Sequence, residues 1–370
     1  MKKILTYTSG LLYLISLLFP RAKNVWVFIG WHRGHDTEIF ADNSKYLFLH
    51  VADNNKDITP VWLAKDRAFA ATLKARGYKA YYEHSFLGIL YALRAGTTII
   101  DAFLQPENYR FSGNTRLVQL LHGKGMKKGG YAQKPLRPQN YIMSPSQFVS
   151  EMLPVVFKQQ SLIVITGYPR NDIFFKNMPG SDISVDETTK KILSGGAYKK
   201  NILYAPTFRR GEKTIEIEAT LNLATLSKWL VEENILLAIS LHPKYRDQAR
   251  SITYANVHFI EESDIYPLFP LFDILVTDYS SIFTDFLLLD RPIIFYPYDL
   301  ENYKKTEGLS FDNYETYTPG PRAHTPEELF NILKKTLQED QHSGERTAVR
   351  NLYHANQDGN SAERILKILS

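Results

Sequence analysis

The feature that most constrains this chain is an alternation. From residue 24 onward, short runs of β-branched and aromatic residues are separated by helical segments, the sequence form of an α/β protein with parallel sheet. The runs are VWVFIG (25–30), PVWLA (60–64), KAYYE (79–83), TTIIDAF (97–103), LVQLLHG (117–123), NYIMSPS (140–146) and LIVITG (162–167). A polar stretch over 176–198, with Pro179, Gly180 and the pair Gly195 and Gly196, then interrupts them and reads as a boundary. After it the alternation restarts with NILYAPT (201–207), LLAISLHP (236–243), VHFIEE (257–262), DILVTDYS (273–280) and PIIFYPY (292–298). A chain of 370 residues exceeds what one core serves at about 150 residues per domain. The expected organisation is therefore an α/β half over 24–175, a linker region over 176–198 and a second α/β half over 199–350. The segments TPEELFNILKKTL and NSAERILKIL, the latter within a C-terminal piece over 351–370, read as helices opened by Thr or Asn-Ser caps.

Residues 1–23 stand apart. The stretch 4–19 is apolar and flanked by Lys2, Lys3, Arg21 and Lys23. Sixteen residues as a helix reach only about 24 Å, short of the ~30 Å hydrocarbon core of a bilayer, so a spanning helix is disfavoured. No small-x-small cleavage site follows, which also disfavours a signal peptide. At 100° per residue, Ile4, Tyr7, Leu11, Leu14, Ile15 and Leu18 share one face, with Lys2, Thr6, Ser9, Gly10 and Ser16 opposite. Such an amphipathic helix either lies on an anionic membrane surface at the cytoplasmic face or packs its apolar face on the rest of the protein.

Composition narrows the chemistry. With no cysteine, disulfides, thiolate metal sites and cysteine nucleophiles are excluded, and a cytosolic setting is the default. The net charge of +5 leans towards anionic partners. Its distribution says more, because residues 108–150 hold no acid against seven cations, among them Lys124, Lys127 and Lys128. That segment reads as a phosphate-facing surface. It lacks the GxxxxGK[ST] spacing of a nucleotide-hydrolysing loop and carries no nucleic-acid-binding motif, so no nucleic acid partner is expected. An aromatic content of 13% suits large contact surfaces such as a membrane face or a ligand cleft.

In open α/β sheets, ligands bind beyond the carboxyl ends of the strands. Chemically equipped residues follow strand runs at four places. LLHGKGMKK offers His122. GYPRND offers Arg170, with Asn171 or Asp172 suited to capping the next helix. SLHPKYR offers His242, Lys244 and Arg246, which fit a phosphate leaving group or, alternatively, an ordinary solvated loop. TDYSSIF places Asp278, Ser280 and Ser281 at a helix start, where they either bind phosphate or simply cap the helix. The pair His32 and His35 with Asp36 is a weak metal pattern, and no metal or cofactor is called for.

Taken in order, ADNSKYLF (41–48), HGKGMKKGG (122–130), SPSQF (144–148), GYPRND (167–172), ILYAPTFR (202–209), LHP (241–243) and the long string 273–303 resemble the CDP-glycerol glycerophosphotransferase family, the teichoic acid glycerol-phosphate primases and polymerases. The resemblance runs from residue 24 to the end. It implies a GT-B-like enzyme, two Rossmann-like domains facing each other across a cleft, with CDP-glycerol or CDP-ribitol as donor and a lipid-linked acceptor. It implies that His122 and His242 are the catalytic pair, that Ser280 and Ser281 contact donor phosphate, and that Thr207 and Arg209 belong to the donor site. Many members of that family read HGT where this chain reads HGKG, with Lys124 in place of the threonine. A GT-B glycosyltransferase using a sugar nucleotide is the competing expectation, since it shares architecture and anionic donor.

Overall fold

The computed structural model describes residues 2–30, 39–101, 110–123, 125–126, 139–209, 214, 216–242, 245–261, 264–311 and 313–370. The chain divides into two compact units, one of Met1–His122, Tyr131–Ser184 and His354–Ser370, the other of Gly123–Gly130 and Val185–Tyr353.

The first unit is built on β1 (Ala22–Ile29), β2 (Thr59–Ala64), β3 (Ala80–Tyr82), β4 (Ala95–Ile100), β5 (Arg116–Gln119), β6 (Tyr141–Ser144) and β7 (Leu162–Ile165), in the order β3-β2-β1-β4-β5-β6-β7. Every pairing is parallel. Helices cover a parallel sheet on both faces, which is why its strands read as near-continuous apolar runs instead of alternating ones. On one face Trp26, Phe28, Phe40, Phe48 and Trp62 interlock, with the Phe40 and Trp62 rings edge-to-face at 4.7 Å and 80°. Part of the aromatic surplus therefore fills this core.

The helix Ser361–Leu369 belongs to the same core, contributing Ala362, Ile365, Leu366 and Leu369. Its start is not capped by Asn360. Asp172 caps it instead, accepting from the main-chain N–H of Ser361 and of Ala362 at 2.9 Å each. Asp172 was expected to cap the next helix in sequence, yet the orphan N–H groups it satisfies lie far along the chain. Burial pushes its pKa up, with both N–H bonds pulling back. Asp172→Ala strips two bonds from buried donors, and the expected cost is about 1–3 kcal/mol, read by urea denaturation of the variant against the parent.

Within 176–198 no single linker is seen. Ile183 is part of the first core, whereas Asp186 caps the helix Glu187–Ser194 of the second unit by accepting from Thr189 N at 2.8 Å.

The helix Lys2–Ser16 exposes Leu11, Leu14 and Ile15, and Leu18 just beyond it, while Ser9 and Ser16 are buried. Ser16 Oγ donates to the Tyr13 carbonyl and accepts from Gly113 N at 2.8 Å. Of the polar face, Ser9 and Ser16 pack on the protein, whereas Gly10 is exposed. Arg21 bridges this end to the helix Phe86–Arg94, donating to the carbonyls of Ser16 and Ala92, and that helix exposes Phe86, Leu87 and Leu90. No helix among the described residues is long and apolar enough to cross a membrane.

The second unit carries β8 (Lys200–Ala205), β9 (Ile235–Ser240), β10 (Val257–Ile260), β11 (Ile274–Thr277) and β12 (Ile293–Phe295), in the order β10-β9-β8-β11-β12, again all parallel. Its core packs Ile202, Leu230, Leu237, Ile239, Val276 and Ile294 against the helices Leu223–Glu233 and Pro326–Gln338. The second of these has the expected Thr cap, Thr325 Oγ1 accepting from Glu328 N at 3.2 Å.

Candidate active site

The strand order of the first sheet reverses at β1, which has β2 on one side and β4 on the other. At such a switch point the loops beyond the carboxyl ends part and leave a crevice. Asp101 follows β4, and His122 follows β5. His122 is partly exposed. Burial pushes its pKa below the ordinary histidine value; Asp42 pulls it up, Arg170 pulls it down, and a hydrogen bond with the Asp101 main-chain carbonyl pulls it up. At neutral pH the ring is an uncharged imidazole, the form that accepts a proton. Arg170 is brought next to His122, but its side chain does not face solvent. It is 1% exposed and pairs with Asp42 through Nη1 and Oδ1 at 2.5 Å, with its guanidinium 4.8 Å from the Tyr168 ring centre. Lys124, Lys127, Lys128 and the trio His32, His35 and Asp36 lie outside the described residues. Among the described residues, no group of three acidic or histidine side chains could hold a metal ion.

In the second sheet the order switches at β8, flanked by β9 and β11. The three segments leaving these strands carry the expected residues: Thr207 to Arg209, His242, and Asp278 to Ser281. Asp278 is their hub. Its buried Oδ1 accepts from Thr207 N at 2.8 Å, Thr207 Oγ1 at 2.6 Å and Tyr279 N at 2.6 Å, and Oδ2 pairs with Arg209 Nη2 at 2.8 Å. Arg209 also grips Asp299 through Nε at 2.7 Å and Nη2 at 2.9 Å, and donates to the Thr207 carbonyl through Nη1 at 2.6 Å. Burial works against its charge, but Asp278 and Asp299 hold its pKa above the ordinary arginine value. Tyr279 and Tyr303 stack at 3.7 Å beneath this guanidinium, and the Tyr279 hydroxyl donates to Asp299. Thr207, Arg209 and Asp278 are thus brought together but engaged with one another.

His242, Ser280 and Ser281 are partly exposed, as is Thr207. The His242 ring stacks on Phe208 at 4.3 Å and 29°. Tyr245 steadies this corner, donating to the Arg209 carbonyl at 3.2 Å. Ser280 Oγ accepts from Ile282 N at 3.3 Å, while Ser281, at the N-cap, makes no side-chain cap bond. The helix it opens, Ile282–Phe286, is only five residues, which leaves little macrodipole to draw an anion. A Cβ on Gly125 would stand 2.6 Å from Ser281 Cα, so only glycine lets that main chain lie against the serine. Arg246 donates to the Glu261 carbonyl at 2.6 Å, and Lys244 lies outside the described residues. Sequence reasoning missed Asp42, Asp299 and Tyr279 as site residues, although all three sit inside the quoted motif strings.

A family model described as CDP-Glycerol:Poly(glycerophosphate) glycerophosphotransferase matches residues 11–370. The chain is 30% identical over 247 residues to a teichoic acid poly(glycerol phosphate) polymerase of Bacillus spizizenii, covering 60% of this chain and 62% of that protein. It is 29% identical over 365 residues to a teichoic acid ribitol-phosphate primase of the same organism, covering 91% of each. The match to a poly(glycerol phosphate) polymerase of Bacillus subtilis spans only 47% of that longer protein. Among solved structures, the wall teichoic acid polymerase TagF shares the fold, with a TM-score of 0.75 over 99% of this chain and 93% of that one at 21% identity.

Proposed function

Since the chain belongs to the CDP-glycerol:poly(glycerophosphate) glycerophosphotransferase family, we propose that it transfers glycerol phosphate from CDP-glycerol to a hydroxyl of a membrane lipid-linked acceptor and releases CMP. The observation that carries this reading is the placement of the family-motif residues beyond the carboxyl ends of parallel strands, the end at which such sheets bind ligands: after β8, β9 and β11 around the switch point of the second sheet, and after β5 for His122 and the edge strand β7 for Arg170 in the first. Phosphoryl transfer asks of a protein mainly positioning, charge neutralisation and a base. His122, uncharged, takes the proton of the acceptor hydroxyl as its oxygen attacks the glycerol-bearing phosphorus. The bond from that phosphorus to the bridging oxygen breaks, and CMP leaves with the electron pair. His242, with the hydroxyls of Ser280 and Ser281, balances charge on the donor phosphates. Thr207, Arg209 and Asp278 serve the donor site as its frame.

Membrane contact through residues 1–23 is part of the same reading. It is supported by the exposure of Leu11, Leu14, Ile15 and Leu18 and by Lys2, Lys3 and Lys23, which flank that stretch in the sequence. It places the protein at the cytoplasmic face of a membrane, where a nucleotide-activated donor and a lipid-linked acceptor meet.

The test is a donor panel. Incubation with CDP-glycerol, CDP-ribitol and UDP-sugars in the presence of a lipid-linked disaccharide is expected to release CMP from CDP-glycerol. Release from CDP-ribitol alone would move the chain to ribitol phosphate transfer, a reading favoured by its end-to-end match with a ribitol-phosphate primase. Release of UDP would make it a glycosyltransferase.

A further inference from the structure

The backbone around His122 is held by a device that the reaction scheme above does not use. Leu121, immediately before the histidine, has φ of +62°, and Asp42, at the start of the helix Asp42–Asn54, has φ of +64°. Left-handed backbone is readily taken by aspartate but is costly for leucine, so the turn at Leu121 needs outside support. One carboxamide gives it. Asn43, fully buried, donates from Nδ2 to the Leu121 carbonyl at 2.8 Å and accepts at Oδ1 from Arg170 N at 3.2 Å. Asn43 thereby ties the turn that aims His122 to the two residues of the Asp42–Arg170 ion pair, one its chain neighbour and the other its hydrogen-bond partner.

We propose that the Asp42–Arg170 pair, seated by Asn43, is the positioning device for His122: it fixes the ring's turn and sets opposed charges beside it. Among the described residues, the charged and titratable groups around the histidine are Asp42, Arg170 and Asp101. The Asp101 carboxyl is buried, Oδ1 accepts from Ser44 N at 2.8 Å, and burial together with the Asp42 carboxylate pushes its pKa well above the usual range. Asp42 and Arg170 act on His122 in opposite senses. Removing the carboxylate leaves a cation beside the ring and favours its neutral form. Removing the guanidinium leaves an anion and favours the imidazolium.

This inference deepens the base role proposed for His122, but its test does not depend on that role. The His122 ring signal, assigned by its absence in His122→Gln, is titrated by NMR in the full chain and in Asp42→Asn, Arg170→Gln and the double variant. Asparagine tolerates left-handed backbone, so Asp42→Asn keeps the local conformation. The expected results are a midpoint lowered by about half a unit or more in Asp42→Asn, one raised by as much in Arg170→Gln, and one returned towards the parent value in the double variant. If Arg170→Gln does not fold, the other two variants decide. Midpoints that do not move, or that move the same way in both single variants, overturn the proposal. The acidic limb of CMP release should follow the same signs. Shifted midpoints with no CMP release from any variant or from the parent would leave the device standing and remove the proposed reaction.

Discussion

His122→Gln is expected to slow CMP release from CDP-glycerol by about 10²- to 10⁴-fold, the contribution of a positioned general base, while the melting temperature stays close to that of the parent. Glutamine is near the size of the imidazole and can keep a hydrogen bond to the Asp101 carbonyl, but it cannot accept and hold a proton at neutral pH. Single-turnover CMP release measured beside a thermal melt separates the two effects. The sign of the pH dependence follows from the direction of the shift. Burial lowers the pKa of His122, so activity is retained as pH falls through the ordinary histidine range and is lost only below it, as the ring charges. A variant that lost activity together with its melting transition would return His122 to a structural role.

Arg209→Met is expected to destabilise the second unit by about 3–5 kcal/mol, because it leaves Asp278 and Asp299 facing each other in a buried site without their shared cation. The loss does not stop at stability. Asp278 fixes Thr207 and Tyr279, and the Arg209 carbonyl receives the Tyr245 hydroxyl beside His242, so the frame of the donor site goes with the guanidinium. Arg209→Lys should recover only part, since one ammonium cannot reproduce the fork that holds Asp299 through two bonds while pairing with Asp278. Urea denaturation and calorimetry with CDP read the two consequences separately. Unchanged stability in Arg209→Met would mean that the network is ornamental.

The elements legible in the sequence are those whose burial is local in cause. Among the described residues, all twelve strands fall on the apolar runs, because parallel strands buried on both faces need nothing from distant residues to be seen as apolar. The strand ends were read too long, as in LVQLLHG, where the strand stops at Gln119 and the remainder is the turn through Leu121 that presents His122. The illegible parts are long-range pairings. Nothing near Asp172 announces that it caps a helix close to the C-terminus, and nothing in GYPRND says that Arg170 turns inward to Asp42. The same holds for Arg209, assigned to the donor site by resemblance, whose pairing with Asp299 some ninety residues away nothing local announces. Periodicity identified the apolar face of the N-terminal helix, but it could not say which face packs. Ser16, an acceptor for Gly113 N, decides that, and it leaves the leucines outside.

The central claim is that glycerol phosphate moves intact from the nucleotide to a lipid-linked hydroxyl. Mass spectrometry of a lipid-linked disaccharide, recovered from vesicles after incubation with the protein and CDP-glycerol, tests it most directly. The acceptor is expected to gain one or more glycerol phosphate units in step with the CMP released. An acceptor of unchanged mass while CDP-glycerol is consumed, or one that gains a hexose from a UDP-sugar instead, would contradict it.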